Sequence, residues 1–168
     1  MLNKINKLSE TEFIEVFGNI FENASWIAKK LYLKKPFKNF LDLSKKMISI
    51  FEDTDTQSKL KILLSHPDLA DKTKIGVLTP DSNKEQNSAK LDQCTEAEFN
   101  EFKNLNEKYK SKFGFPFILA VKGKNKSEIL TSFKKRILFD KKIEFDEAVK
   151  QVKNIAILRL DELEIKLL

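Results

Sequence analysis

The sequence has few of the residues that form disulfides, bind metal ions or interrupt helices. Among 168 residues it contains one cysteine (Cys94), one histidine (His66), four glycines and four prolines. A lone cysteine excludes an internal disulfide, and no cluster of cysteines and histidines could bind zinc. No uncharged apolar run reaches 18 residues, and the amino-terminal residues lack the apolar run of a signal peptide. We therefore predict a cytoplasmic protein with no membrane span and no metal.

The scarcity of glycine and proline also favours helices over a strand-rich fold. Hydrophobic residues make up 41% of the chain and charged residues 33%, which is the balance of a globular protein. A length of 168 residues is sufficient for one core that is stable without crosslinks. The composition predicts an all-α, single compact multi-helix domain spanning residues 1–168.

The positive charge is carried almost entirely by lysine. The chain has 31 basic and 25 acidic residues, a net charge of +6, and its only arginines are Arg136 and Arg159. Nucleic-acid-binding proteins commonly concentrate arginine on one face. The lysines of this chain are instead interleaved with acidic residues, which is typical of solvated helix faces. A nucleic-acid-binding domain remains an alternative that only the net charge supports, and we predict no nucleic-acid partner.

Local patterns predict where helices begin and end. Ser9 with Glu12, and Thr95 with Glu98, have the spacing of capping boxes. Asn23 is predicted to cap a helix that carries Trp26. The segment from 66 to 93 is poor in bulky apolar residues and is predicted to be irregular. Residues 113–121 are predicted to form an extended connector, with a buried strand as the alternative. Apolar spacing predicts helices over 37–51, over a segment that ends near His66, and over 127–140 and 143–163.

Three places in the sequence could support chemistry. His66 stands where a helix is predicted to end before Pro67, and the helix dipole favours a cationic imidazole there. Glu85 and Gln86 lie among hydrogen-bonding residues that could line a polar pocket. Arg159 interrupts an apolar helix face, where it is either paired with an acidic side chain or directed at an anionic ligand. Each also has a plain structural interpretation, and local pattern does not separate the two.

Several segments together resemble one family. They are GNIFENASWIA (18–28), SHPDLA (65–70), SNKEQNSAKLD (82–92), LNEKYKSKFGFPFILAVKG (105–123) and AVKQVKNIAILRL (148–160). In this order and spacing they resemble the OHCU decarboxylases, which act on 2-oxo-4-hydroxy-4-carboxy-5-ureidoimidazoline (OHCU) to give (S)-allantoin in urate degradation. The resemblance covers about residues 8–163. It implies an all-α fold of the OHCU decarboxylase type, no cofactor, a homodimer, and OHCU as the small-molecule substrate.

The resemblance also implies roles for individual residues. His66 matches the catalytic histidine, Glu85 its partner carboxylate, and Arg159 the arginine that holds the substrate carboxylate. Matched positions expected to bind substrate are Pro67, Ser82, Asn83, Lys84, Glu85, Gln86, Phe117, Ile118, Leu119, Ala120 and Val121, the last five largely through backbone groups.

The sequence departs from the family pattern at three positions. Lys90 and Asp71 stand where the family commonly has glycine, and Asn23 stands where it commonly has histidine. These differences are expected to alter local loop shape more than the chemistry, because His66, Glu85 and Arg159 are all present. Two alternatives share the helical scaffold: a catalytically silent binding protein, and a decarboxylase-like enzyme for a related ureido or imidazoline acid.

Overall fold

The computed structural model describes residues 2–71 and 78–167, and within these ranges the chain is helical and has no strand. The prediction of an all-α fold is confirmed. The helices are α1 (Leu2–Lys7), α2 (Glu10–Phe17), α3 (Ser25–Tyr32), α4 (Phe40–Glu52), α5 (Thr56–Ser65), α6 (Pro80–Ser88), α7 (Glu96–Phe113), α8 (Lys126–Arg136) and α9 (Lys141–Leu167), with a 3₁₀ turn at Leu91–Gln93.

Capping boxes fix the starts of three helices. The predicted boxes of Ser9 with Glu12 and Thr95 with Glu98 are present at α2 and α7. Asn125 forms a third box, with Glu128, at α8. In each, the cap side chain accepts from the N3 amide, while the N3 carboxylate accepts from the cap amide. Helices whose starts depend on such local bonds are the ones that the sequence predicts best.

Helix ends differ from the predicted ones by a few residues. The helix predicted from residue 37 begins at Phe40, because the Asn39 side chain accepts from the Asp42 amide and caps it there. The helix predicted over 127–140 ends at Arg136, and the last helix is longer than predicted at both ends. The prediction omitted α1 altogether.

Asn23 does not cap α3, which corrects the prediction. The cap residue is Ala24, and it makes no side-chain capping bond. Asn23 instead adopts a left-handed backbone with φ of 50°. Asparagine and histidine are both enriched in this conformation. The backbone thus accounts for an asparagine at a position where histidine is common in the resembling family.

Two compact units can be distinguished within the described residues. The first comprises the chain up to Ile62 and from Lys153 onward, and the second runs from Leu63 to Val152. That these units form the single domain predicted from composition remains a prediction.

Each unit has its own aromatic core. In the first, Phe13 packs against Phe17 with ring centroids 4.5 Å apart, and Phe21 packs against Phe51 at 4.7 Å. In the second, the fully buried Tyr109 is surrounded by four phenylalanine rings, which are Phe113, Phe115, Phe117 and Phe133. Burial of such rings stabilises each unit by about 1.5–3 kcal/mol per side chain.

The conformation of Lys90 explains why glycine suits its position. Lys90 follows the end of α6 with φ of 56° and ψ of 31°, a left-handed geometry that costs a residue with a Cβ about 1–2 kcal/mol. We expect Lys90→Gly to raise the free energy of unfolding by about 0.5–1 kcal/mol, since glycine relieves the strain but adds freedom to the unfolded chain. Urea denaturation measures the change.

Asp71 provides the matched control for this prediction. It also replaces a common family glycine, but it is not among the described residues with positive φ. Asp71→Gly is therefore expected to lower the free energy of unfolding by about 0.5–1 kcal/mol. If Lys90→Gly and Asp71→Gly changed the free energy of unfolding equally, in either direction, the assignment of strain to Lys90 would be wrong.

Candidate active site

His66 immediately follows the last residue of α5. Its amide donates to the Leu63 carbonyl at 3.2 Å, which tightens the final turn, and the residue is half-buried. The helix end predicted at this point is confirmed. The carboxyl end of the helix dipole favours a positively charged imidazole at such a position.

The loop after His66 is fastened by side chains from α6 and α7. The Gln86 side chain accepts from the Ala70 amide at 3.0 Å and donates to the Asp68 carbonyl at 3.3 Å. From α7, Asn106 donates to the Leu69 carbonyl at 3.0 Å, and Lys110 pairs with the Asp68 carboxylate at 2.6 Å. Three consecutive residues of this loop (68–70, the fastened loop) are thus held by three side chains, so the chain beside His66 has a defined position.

Asn106 and Lys110 were missed by sequence reasoning. They lie four residues apart and therefore on the same face of α7. Asn106 is only 5% exposed, and its Oδ1 atom has no hydrogen-bond partner among the described residues. The signal in the sequence was the helical spacing of Asn106 with the apolar Phe102 and Tyr109, which places its amide on a buried face. A buried amide normally forms a hydrogen bond, often to a backbone group.

Glu85 and Gln86 lie on a helix, not in an irregular segment, which corrects the prediction for part of 66–93. Thr79 caps α6 by accepting from the Ser82 amide, and Pro80 occupies the first turn, where its missing amide is harmless. Residues 72–77, which belong to the same predicted stretch, lie outside the described residues. The Thr-Pro-Asp start at 79–81 was the overlooked signal for this helix.

Helix α6 turns some of its predicted site residues inward. Ser82 and Gln86 are buried, Asn83 and Glu85 are half-buried, and Lys84 is exposed. The Gln86 amide holds the fastened loop, so the turn of α6 that carries Glu85 is fixed next to the loop that follows His66. The structure thereby brings together the segments of His66, Glu85 and Gln86. The substrate-binding roles of these residues remain predictions.

Of the predicted connector 113–121, Phe113 is instead the last residue of α7. Residues 117–121 (the connector) have no regular secondary structure and are almost entirely buried. The Ile118 carbonyl accepts from Arg136 at 2.7 Å, and the Ala120 amide donates to Gln151 at 3.1 Å. Phe117 stacks on Phe133 with centroids 3.9 Å apart. The connector therefore has one defined backbone position within the second unit.

Arg136 belongs to a buried cluster beside the connector. It pairs with Glu144, which is completely buried, and Tyr109 donates its hydroxyl proton to the same carboxylate. Burial, and the hydrogen bond to the Glu144 carboxylate, raise the pKa of Tyr109 far above its ordinary value. Tyr109 consequently remains a proton donor at any working pH.

Arg159 lies in the first unit, on α9, and is 7% exposed. Its Nη1 atom donates to the Asn19 carbonyl at 3.0 Å and to the Glu22 carboxylate at 3.1 Å. Glu22 is itself only 3% exposed. The structure shows a pair with an acidic residue, which is buried instead of lying at the surface. The role of Arg159 towards an anionic ligand remains a prediction.

Two negative findings apply to the described residues. Nowhere in 2–71 or 78–167 do three or more histidine, cysteine, aspartate or glutamate side chains come together as a metal-binding group. In the same ranges, no helix contains an 18-residue stretch apolar enough for a membrane crossing.

Comparisons with known proteins agree over almost the whole chain. A family model described as OHCU decarboxylase matches residues 6–161. The chain is 40% identical over 162 residues to the uric acid degradation bifunctional protein of Bacillus sp. (strain TB-90), covering 96% of this chain but 32% of that protein. It is 35% identical to 2-oxo-4-hydroxy-4-carboxy-5-ureidoimidazoline decarboxylase of Haloferax volcanii, covering 96% of this chain and 94% of that protein.

Solved structures show the same fold. The crystal structure of (S)-allantoin synthase superposes with a TM-score of 0.76 and 26% identity, over 97% of this chain and 54% of that chain. A crystal structure of OHCU decarboxylase in the presence of (S)-allantoin superposes with a TM-score of 0.71 and 23% identity, over 93% of this chain and 98% of that chain. At the lower identity the likeness concerns the fold alone.

Proposed function

This chain belongs to the OHCU decarboxylase family, and on that premise we propose that it decarboxylates OHCU to (S)-allantoin. It is a carbon–carbon lyase of urate degradation. The observation that carries the proposal is the family match from residue 6 to 161, because that range includes His66, Glu85 and Arg159. The ordered positions of the His66 and Glu85 segments support it, since acid–base groups act only when they are held in place.

The substrate supplies the electron sink that the reaction requires. In OHCU the carboxylated carbon bears a hydroxyl group and adjoins a ring carbon–nitrogen double bond. When the bond to the carboxylate breaks and carbon dioxide leaves, the electron pair is delocalised into that double bond. Protonation on one face of the ring then gives the (S) product. Neither pyridoxal phosphate nor a metal ion is needed for this step.

We assign the proton transfers to His66, with Glu85 as its partner. The imidazole at the end of α5 and the carboxylate on α6 manage the substrate hydroxyl proton and the developing charge. The Gln86 bonds to residues 68 and 70 support this assignment, since they tie the two segments to each other within the second unit.

Arg159 is proposed to bind the anionic carboxylate of the substrate by charge-assisted hydrogen bonds. Its buried pair with Glu22 supports the proposal in one respect, because an arginine with a fixed guanidinium group loses little conformational freedom on binding. The remaining proposed contacts follow the resemblance: Pro67, Ser82, Asn83, Lys84 and Gln86, with the backbone of 117–121. We also propose that the protein is a homodimer located in the cytoplasm.

The test generates OHCU in place from urate, using urate oxidase and hydroxyisourate hydrolase, and follows allantoin by circular dichroism. With the protein present we expect a pure (S) signal that develops faster than the spontaneous, racemic reaction. A trace no faster and no more chiral than the spontaneous one would overturn the proposal. Binding of allantoin without turnover would then identify a silent binding protein.

A further inference from the structure

Arg136 is the second of the two arginines, and the proposed reaction does not use it. All three of its guanidinium nitrogens are engaged. Nε and Nη2 donate to the Glu144 carboxylate, and Nη1 donates to the Ile118 carbonyl at 2.7 Å. The guanidinium carbon lies 4.5 Å from the centre of the Phe117 ring. One buried cation therefore joins α9 to two successive residues of the connector.

Gln151, on α9, holds the connector two residues further along. Its side-chain oxygen accepts from the Ala120 amide at 3.1 Å, and its side-chain nitrogen donates to Glu147 at 2.7 Å. In a trans peptide the N–H and the C=O point in opposite directions. The Leu119 amide therefore points away from the Ile118 carbonyl that Arg136 binds, and the Leu119 carbonyl points away from the Ala120 amide that Gln151 binds. Arg136 and Gln151 consequently direct both peptide groups of Leu119 away from themselves.

We propose that Arg136 and Gln151 are positioning residues for the reaction. They fix which edge of the connector faces the ligand, so that the amide and carbonyl of Leu119 are presented to the ureido or ring amide groups of the substrate. The inference rests on the proposed function, because it takes the connector as part of the substrate site. A donor and an acceptor on one peptide edge suit a substrate with adjacent N–H and C=O groups.

Steady-state kinetics of Arg136→Lys and Gln151→Ala test the proposal. Lysine retains the charge beside Glu144, but its donors all lie on one nitrogen, so it loses the planar geometry by which arginine binds the carboxylate through Nε and Nη2 and the Ile118 carbonyl through Nη1. We expect KM to rise about tenfold in either variant while kcat changes by less than about threefold, because ground-state and transition-state binding are weakened alike. The double variant Gln151→Glu with Glu147→Gln keeps an oxygen for the Ala120 amide and an amide donor between positions 147 and 151, and it is expected to restore a KM near that of the parent chain.

Tyr109→Phe is the matched control for loss of stability. It removes the hydroxyl bond to Glu144 but keeps the ring against Phe117 and both connector bonds. Its melting temperature is expected to fall with KM unchanged. If Arg136→Lys and Gln151→Ala lower stability but leave KM unchanged, their role is structural and the positioning proposal is wrong. If the parent chain itself neither turns over OHCU nor binds allantoin, the proposed function fails first, and the positioning role fails with it.

Discussion

His66→Ala is expected to lower kcat for (S)-allantoin formation by about 10²–10⁴-fold while leaving the fold intact. The loss follows from removing the only imidazole in the chain. The fold should survive because the bonds that hold the fastened loop are made by residues 68–70, not by the His66 side chain. The amide bond from residue 66 to Leu63 is available to alanine as well.

Leu64→Ala is the matched control for this variant. Leu64 lies two residues earlier on α5 and is 53% exposed, so its truncation changes the same helix end without removing a polar group. Its turnover should equal that of the parent chain. Circular dichroism measures both the (S)-allantoin produced and the helical content of each variant. Parent-level turnover in His66→Ala would exclude His66 from the mechanism.

Arg159→Met is expected to reduce both stability and activity, for separable reasons. The substitution removes the cation from beside the Glu22 carboxylate, which is 3% exposed. Removing one member of a buried ion pair typically costs about 3–5 kcal/mol of stability. If Arg159 also binds the substrate carboxylate, kcat/KM should fall by about 10- to 100-fold, which is the loss of one charge-assisted hydrogen bond.

The double variant Arg159→Met with Glu22→Leu separates these two effects. It removes both buried charges and retains apolar volume, so most of the lost stability should return. Activity should remain low, because the substrate carboxylate still has no guanidinium group to bind. Urea denaturation and the allantoin assay provide the two measurements. Recovery of activity together with stability would show that Arg159 only balances Glu22 and would contradict its assignment to the substrate.

Local rules account for most of the helices that the sequence predicted. Each capping box spans four residues, so the starts of α2 and α7 could be read directly from Ser9 and Thr95. Helix α6 was missed because the prediction relied on apolar spacing, and this helix is short and almost wholly polar. Its signals were the cap at Thr79 and the proline after it, which act through the backbone and need no apolar stripe.

The candidate site depends on contacts that no local pattern contains. Asn106 bonds to a residue 37 positions away, Lys110 to one 42 away, and Arg159 to one 137 away. Such pairs are selected by the packed fold, so a single sequence gives only the residue types and not their partners. Resemblance supplied the proposed roles of His66, Glu85 and Arg159. The proposed role of Arg136 depends on the three bonds of its guanidinium nitrogens, which only the structure shows.

The hydrogen bonds of the Gln86 side chain also affect how the fastened loop moves. The two bonds of the Gln86 amide join the fastened loop to the same helical turn that carries Glu85, and Asn106 and Lys110 join the loop to α7. Because these bonds hold three consecutive residues, we expect them to break together when the loop opens. The Ala70 amide proton is protected by one of those bonds, so its rate of exchange with solvent deuterium measures how often the loop opens.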